Sequence, residues 1–429
     1  MAKHAALPGF RDFYPEEMAR REQIFGVWRE VTRRFGFELY DGPPLEPLEL
    51  YIEKSGPEIV NQLFNFTDKG GREVALRPEM TPTLVRMVGA RIKGMARPAR
   101  WASMPQLFRY EKQQRGRLRE HFQLNMDIIG EESVLADADL LAAALEVLRL
   151  LGLSSSDVVA RISDRRLLQA ALLEEGVAEA DRPTAYNVID KIEREPRASL
   201  LERLGKLGLS AAQGEKILGL TAMDLGAIRE RYAGSPAIGT ALDEIDRYFD
   251  ALRQLGFGDW VVFDMKIVRG LAYYTGIVFE IFDRKGELRA ICGGGRYDRL
   301  FESLAGIDVP ALGFGFGDVV LGELLQDRGL AAKAGGAVDL IVVTVNEEVR
   351  GEALAIVSRL RASGRSVVYP SRTTGVGKAL KAAATAGVRE AIVIGPDEVA
   401  AGEIVVRDLV AGSERKIGLE EYLKSFEEK

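Results

Sequence analysis

One stretch limits the architecture more than any other: His121-Phe122-Gln123-Leu124-Asn125-Met126-Asp127-Ile128 alternates strictly between polar and apolar side chains. A period of two places Phe122, Leu124, Met126 and Ile128 on one face of a β-strand and His121, Gln123, Asn125 and Asp127 on the other. Upstream, Gln106–Glu111 reads as the partner strand of an antiparallel hairpin, with Arg109 and Glu111 on a shared face, and such hairpins commonly keep one side polar. The loop between them carries Lys112, Arg115, Arg117 and Arg119. The whole chain has 58 Lys and Arg against 64 Asp and Glu, a net charge of −6, so this loop is a local departure from an acidic body. A uniformly basic nucleic-acid coat is excluded. A cationic loop beside a polar strand face suits a phosphate-bearing ligand. A merely solvated loop fits the composition equally well.

Two further segments stand out: Val268-Arg269-Gly270-Leu271-Ala272-Tyr273-Tyr274-Thr275-Gly276 and Cys292-Gly293-Gly294-Gly295-Arg296-Tyr297-Asp298. Glycine allows close backbone approach to a ligand, and three in a row ahead of Arg-Tyr-Asp exceed what a hairpin turn between two strands requires. We read them as a ligand floor. Two look-alikes are set aside. Gly313-Phe314-Gly315-Phe316-Gly317 lacks the glycine spacing and the βαβ setting of a dinucleotide loop. Thr374-Gly375-Val376-Gly377-Lys378-Ala379 has no first glycine at Arg372, and Ala379 replaces the hydroxyl a phosphate loop needs. The single cysteine, Cys292, and the two histidines, His4 and His121, rule out an intrachain disulfide, a Cys-rich zinc site and a His-based metal cage. No protein metal site is therefore expected; metal chemistry would run through carboxylates and substrate phosphates, as magnesium does.

At 429 residues the chain has room for two or three domains. Helices are expected over about Pro15–Phe35, with Met18, Phe25, Trp28 and Val31 near helical spacing, and over about Ala136–Leu151, closed by Gly152. Residues 72–131 read as strands and turns. From about Asp164 to Gly234 the Ala, Leu, Glu and Arg content and helical spacing indicate a helical insertion; a helix near Ala241–Gln254 and a β-rich stretch, Trp260–Phe316, follow. Ala331–Gly336 reads as a linker. Beyond it, apolar strands at Leu340–Val345, Val367–Tyr369 and Ala391–Ile394 alternate with helices at Val349–Leu360 and Lys378–Ala386, the pattern of a small parallel or mixed sheet covered by helices. The first residues lack the apolar core of a secretory signal and no stretch is long and apolar enough for a membrane span, so a soluble cytoplasmic protein is expected, with no membrane partner.

Taken together, Leu76-Arg77-Pro78-Glu79-Met80-Thr81, Phe108-Arg109-Tyr110-Glu111, Arg269-Gly270-Leu271-Ala272-Tyr273-Tyr274 and Gly293-Gly294-Gly295-Arg296-Tyr297-Asp298 resemble the signatures of the histidyl-tRNA synthetases, class II aminoacyl-tRNA synthetases. Leu7-Pro8-Gly9-Phe10-Arg11-Asp12 and the C-terminal pattern fit as well, so the resemblance spans nearly the whole chain. It implies an α+β fold: an antiparallel class II sheet flanked by helices in two parts (1–163 and 235–330), a helical insertion (164–234), and a linker with an α/β anticodon-binding domain (331–429). The implied activity is histidine–tRNA ligation by a homodimer using ATP and Mg2+, with L-histidine and tRNA(His) as partners. By the same resemblance, Glu79, Met80, Thr81, Arg109, Gln123, Asp127, Arg269, Tyr273 and Tyr274 would bind histidine. Within that set Glu79, Thr81 and Gln123 would take the α-amino group, and Asp127 and Tyr274 the imidazole. Arg109, Glu111 and Arg269 would hold ATP, with Arg109 and Arg269 catalytic at the α-phosphate. Lys112, Arg115, Arg117 and Arg119 would meet the tRNA acceptor end, and Arg372, Lys378 and Lys381 are anticodon-side candidates, a solvated helix face being the alternative.

Three positions depart from the family pattern. Asp127 stands where a glutamate is common, Ala272 where an acidic residue is usual, and Val320 where an arginine usually lies over the adenine. The main rival is a non-catalytic paralogue acting as the regulatory subunit of ATP phosphoribosyltransferase, against which residues 337–429 and the Arg269, Tyr273 and Tyr274 set speak. A nucleotide-binding oxidoreductase fails for want of a dinucleotide loop.

Overall fold

The computed structural model describes residues 4–112, 114–268, 273–332 and 338–427. The chain divides into two compact units, Met1–Ala332 and Lys333–Lys429. The first is built on one large sheet. Its strands run in the order Glu38–Leu39, Ala99–Ser103, Glu120–Ile129, Ala311–Gly317, Cys292–Arg296, Ile277–Asp283, Val158–Asp164 and Val261–Phe263, with Gln106–Phe108 joined to the side of Glu120–Ile129. The centre is antiparallel and the two outermost pairs are parallel. The expected hairpin is present, in the register Gln106↔Phe122, Leu107↔His121 and Phe108↔Glu120. Its first strand stops at Phe108, so Arg109 and Glu111 lie beyond the ladder instead of sharing a strand face.

The apolar face of Glu120–Ile129 explains how the sheet is covered. Leu124, Met126 and Ile128 pack with Trp28 and Val31 of the helix Pro15–Arg34 and with Leu140, Leu141, Leu145 and Leu148 of the helix Val134–Leu150. Ser133 caps the latter helix by accepting from Leu135 N at 3.3 Å. With helices on that side, the face bearing His121, Gln123, Asn125 and Asp127 is turned away from the core.

A second core belongs to the five helices between Arg165 and Arg231, where Leu167, Leu172, Val188, Leu200, Leu204, Ile217 and Ile228 come together. The helix Pro236–Gln254 joins the two cores: Ile238, Leu242 and Ile245 enter the helical cluster, while Tyr248 and Leu252 enter the main one.

Several helices depart from expectation, two of them for the same reason. Thr81–Arg91 is a helix inside the stretch read as strands and turns, and Pro236–Gln254 begins upstream of Ala241. Both carry proline in the first turn, where the missing N–H has no helical partner to lose; there proline starts a helix, and it acts as a breaker only further in. The helix Leu48–Ser55 was also not foreseen; it is short and amphipathic, burying Leu48 and Tyr51.

The second unit is a mixed sheet in the order Val367–Val368, Leu340–Thr344, Glu390–Ile394, Glu403–Asp408, Glu414–Gly418, parallel in its first three strands and antiparallel in its last two. Helices Arg350–Ala362 and Val376–Thr385 bury apolar stripes against its strands. Thr374–Ala379 runs into the second of these helices and forms no phosphate loop.

Candidate active site

On its outward face the strand Glu120–Ile129 works as a ruler. From Asp127 to His121 is six residues on one side, about 20 Å at ~3.4 Å per residue. The polar groups gather into two connected sites along it.

At the Asp127 end the polar strand face is not wet, as an ordinary hairpin would leave it. Asp127 is 6% exposed and accepts a hydrogen bond from the Tyr297 hydroxyl. Burial pushes its carboxyl up to about 7, with the Tyr297 bond pulling the other way. Tyr297 meets Tyr273 edge-on at 5.8 Å, and Tyr273 lies 4.8 Å from Tyr274, measured between ring centroids. Burial raises the hydroxyl pKa of all three tyrosines, so they remain neutral hydrogen-bonding groups at physiological pH. Lys54 sits 4.7 Å over the Tyr273 ring and donates to the Glu79 carboxylate. Asp127, Tyr297, Tyr273, Tyr274, Lys54 and Glu79 thus form one continuous constellation.

The glycines opposite make the room for it. Gly313 pairs with Asp127 across the ladder, and a methyl group there would overlap the Asp127 carboxylate and come within 2.9 Å of the Tyr297 hydroxyl. A methyl on Gly315 would lie 2.6 Å from Gln123 Nε2. Cys292–Arg296 is itself a central strand, so its three glycines are the flat interior of the sheet and not a turn; a side chain on Gly294 would strike Gly313 O at 2.5 Å. Arg296 anchors this strand from behind, with its Nε 3.1 Å and Nη2 2.5 Å from the buried Asp137 carboxylate.

At the other end lies a hollow of about 320 Å³ lined by Arg109, Arg117, His121, Gln123, Glu280, Arg289, Cys292, Gly293, Gly315, Gly317, Val319 and Val320, among others. Arg109 is fixed by its Nε bond to Pro78 O at 3.1 Å, directly before Glu79 in the chain, so it stands between the two sites. Burial, and next the Arg109 charge, lower the His121 imidazole to about 3, which leaves it neutral at physiological pH. Below the strand, Glu120 is held by Arg11 at 2.6 Å and Gln106 at 3.0 Å, and Arg11 also reaches Asp318 at 2.9 Å, tying the N-terminal segment to the hairpin and to the helix Asp318–Asp327. A pocket with an aromatic, hydrogen-bonding end and a guanidinium-lined end on a glycine floor fits a small heteroaromatic acid next to a phosphorylated ligand.

Comparison with known proteins bears on this geometry. The histidyl-tRNA synthetase family model matches residues 9–317, and an anticodon binding domain matches residues 339–429. Histidine–tRNA ligase from Opitutus terrae is 44% identical over 427 residues, covering 98% of this chain and 97% of that protein. The chloroplastic/mitochondrial histidine–tRNA ligase of Arabidopsis thaliana is 40% identical, covering 96% and 84%. The chain belongs to the histidyl-tRNA synthetase family. Its fold also matches the crystal structure of histidyl-tRNA synthetase from Nostoc sp. PCC 7120, with a TM-score of 0.86 and full coverage of both chains at 24% identity.

As a member of that family the chain is an aminoacyl-tRNA synthetase, a histidine–tRNA ligase with a C-terminal anticodon-binding domain. The regulatory-subunit alternative is not favoured: the ATP phosphoribosyltransferase regulatory subunit/histidyl-tRNA synthetase of Bacillus halodurans shares the fold at a TM-score of 0.75 and 25% identity, but the curated relatives matching nearly the full chain are ligases.

Of the residues singled out from the sequence, the structure brings Glu79, Asp127, Tyr273 and Tyr274 into the aromatic site, and Arg109 and Gln123 into the hollow beside it. Thr81 begins the helix next to Glu79. Met80 is 1% exposed, its sulfur against the Arg77 guanidinium, so it is packed in the interior. Glu111 is ion-paired with Arg117. Arg269 and Ala272 lie outside the described residues. Val320 is 8% exposed and contributes an apolar wall. The loop cations are partly engaged: Arg115 lies 3.4 Å from Glu323 and 3.5 Å from Asp327, and Arg119 stacks 4.5 Å over Tyr110, while Lys112 is exposed. Sequence reasoning passed over Lys54, Tyr297, Glu280 and Arg289. For Tyr297 a signal existed, since it lies two residues beyond the glycine run; Lys54 and Arg289 reach the site only through tertiary packing.

Proposed function

We propose that this enzyme joins L-histidine to ATP as histidyl-adenylate and passes the histidyl group to the 3′-terminal ribose of tRNA(His), with the residues above in specific roles. Asp127, backed by Tyr297, hydrogen-bonds one imidazole nitrogen and Tyr274 addresses the other side of the ring. Glu79 and Gln123, with Thr81, hold the α-ammonium group, and Lys54 keeps the Glu79 carboxylate in place. Pairing both ends of the imidazole in a buried site makes selection steep, because a competitor leaves polar groups unsatisfied. The observation that carries this reading is the Asp127–Tyr297–Tyr273 constellation opening towards Arg109 along a single strand.

In the first step a carboxylate oxygen of histidine attacks the α-phosphorus, a bond to that phosphorus forms, and pyrophosphate leaves with the electron pair of the broken P–O bond. Two anions approach one another, so a fixed guanidinium at the α-phosphate stabilises the transition state more than the separated reactants. Arg109 has that position, and the resemblance assigns Arg269 to the opposite side. In the second step the terminal ribose hydroxyl attacks the carbonyl carbon and AMP leaves. Glu280, on the wall of the hollow, is the carboxylate that would help hold a magnesium ion brought in with the triphosphate, which would offset phosphate charge.

By the family resemblance Glu111, held by Arg117 at the edge of the loop, would serve the adenine side. Lys112, Arg115, Arg117 and Arg119 would meet the acceptor end, with tRNA phosphates displacing the weaker ion pairs of Arg115. The helical insertion, residues 164–234, would clasp the tRNA. Lys378 and Lys381, three apart on the helix Val376–Thr385 and both exposed, share a face with which to meet the anticodon arm, and Arg372 is exposed just ahead of that helix. By family resemblance the enzyme would act as a homodimer in the cytoplasm.

The test is ATP–pyrophosphate exchange with each amino acid in turn. Exchange stimulated by histidine alone is expected. Silence with every amino acid would instead return the chain to the regulatory class.

A further inference from the structure

Several guanidinium groups line the hollow, but they are not equivalent. Arg117 is paired with Glu111. Arg109 donates to a backbone carbonyl, and Arg289 donates to the neutral amide oxygen of Gln114; among the described residues neither has a carboxylate within ion-pair distance. A cavity with two such cations at its wall is built for a polyanion.

Arg289 lies at the end remote from Asp127. A methyl group on Gly116 would sit 3.2 Å from Val320 Cγ2 and 3.9 Å from Arg289 Cδ, so the Arg289 stem and the Val320 side chain converge on the same point of the loop. Leu118, Ile291, Val319 and Val320 make that end apolar, with the glycine floor beneath. The turn that carries Arg289 is held still: the buried Asp283 accepts from Leu288 N at 3.0 Å and from Glu287 N at 3.4 Å, and Ile291 N returns to the ladder at Ile281 O, 2.8 Å away. Arg289 itself is exposed, so its place is set by the turn below it and not by packing of its own head group.

We infer that Arg289 is a nucleotide-binding residue of the first step, its guanidinium closing the far end of the hollow over ATP where the facing wall is the uncharged Val320. The inference rests on the function proposed above and names the group that holds the nucleotide there. Arginine suits the task because its planar fork both stacks on a base and bonds phosphate oxygens, which an ammonium does only in part.

The experiment is histidine-dependent ATP–pyrophosphate exchange by the full-length enzyme and its variants. Arg289→Ala is expected to raise the KM for ATP at least tenfold and to leave the KM for histidine within twofold. Gln114→Ala, which removes the partner of Arg289 but no charge, is expected to stay within twofold of wild type for both. Arg289→Lys recovering the ATP KM places the contact on the phosphates, and failure to recover places it on the base; both keep Arg289 on the nucleotide. An unchanged ATP KM in Arg289→Ala, an equal rise in both KM values, or a Gln114→Ala variant as impaired as Arg289→Ala would each overturn the inference. If wild-type enzyme shows no histidine-dependent exchange, it is the function proposed above that fails, whereas active wild type with a normal Arg289→Ala defeats the Arg289 assignment alone.

Discussion

Asp127→Ala is expected to lower kcat/KM for histidine by about 10²–10³-fold, roughly 3–4 kcal/mol, while the KM for ATP changes by less than about threefold. The loss has two parts. An imidazole nitrogen entering a water-poor pocket loses its carboxyl partner, and the Tyr297 hydroxyl, now without its acceptor, is left buried and unsatisfied. Amino-acid-dependent exchange at varied histidine reads the first effect directly. The same carboxyl also has a pH signature. Burial raises it to about 7, so the folded empty enzyme keeps a proton that the unfolded chain has already released above its ordinary value near 4. The stability contributed by the neutral group is complete below pH 4 and is lost as pH rises through about 7. Asp127→Asn removes this slope, and thermal unfolding of the two proteins from pH 5 to pH 8 shows it as a widening gap in favour of the variant. Parallel curves would mean that Asp127 is ionised throughout.

Arg109→Ala should have the second large effect, at a different stage. The guanidinium faces charge that builds only as carboxylate and α-phosphate come together, so the rate of adenylate formation should drop about 10³-fold. Histidine affinity by equilibrium dialysis should change only a few-fold, because the imidazole and α-ammonium contacts remain. Equal losses in binding and rate would show that Arg109 acts in the ground state.

The parts of the fold that could be read from the chain are those where periodicity and chemistry coincide. The alternation from His121 to Ile128 has one arrangement that buries Leu124, Met126 and Ile128, so the strand, its inward face and the polar row opposite were all legible. The strand-helix alternation after residue 338 was legible for the same reason, up to the last two strands, Glu403–Asp408 and Glu414–Gly418, whose mixed polar and apolar pattern gave no comparable signal. The helix Thr81–Arg91 was hidden by Pro82. The glycine strand was visible as unusual, but a turn and a strand interior look alike until neighbouring strands are in place: only the pairing of Gly313 with Asp127 shows that the missing side chain makes room for a carboxylate.

Charges were the least legible. The loop Lys112–Arg119 looked like a free positive patch, yet Glu323 and Asp327, about two hundred residues on, stand against Arg115. Lys54 gave no local sign of its role, because its partners Glu79 and Tyr273 come from other segments. Pairing of this kind is set by tertiary structure, which no local pattern records.

The most direct measurement is a crystal structure of the enzyme with a non-hydrolysable histidyl-adenylate analogue. The imidazole is expected between Asp127 and Tyr274, the phosphate mimic within hydrogen-bond reach of Arg109 with Arg269 closing from the other side, and the base at the Val320 end of the hollow. An analogue bound with its phosphate mimic away from Arg109, or with its imidazole outside the Asp127–Tyr297 pocket, would contradict this arrangement.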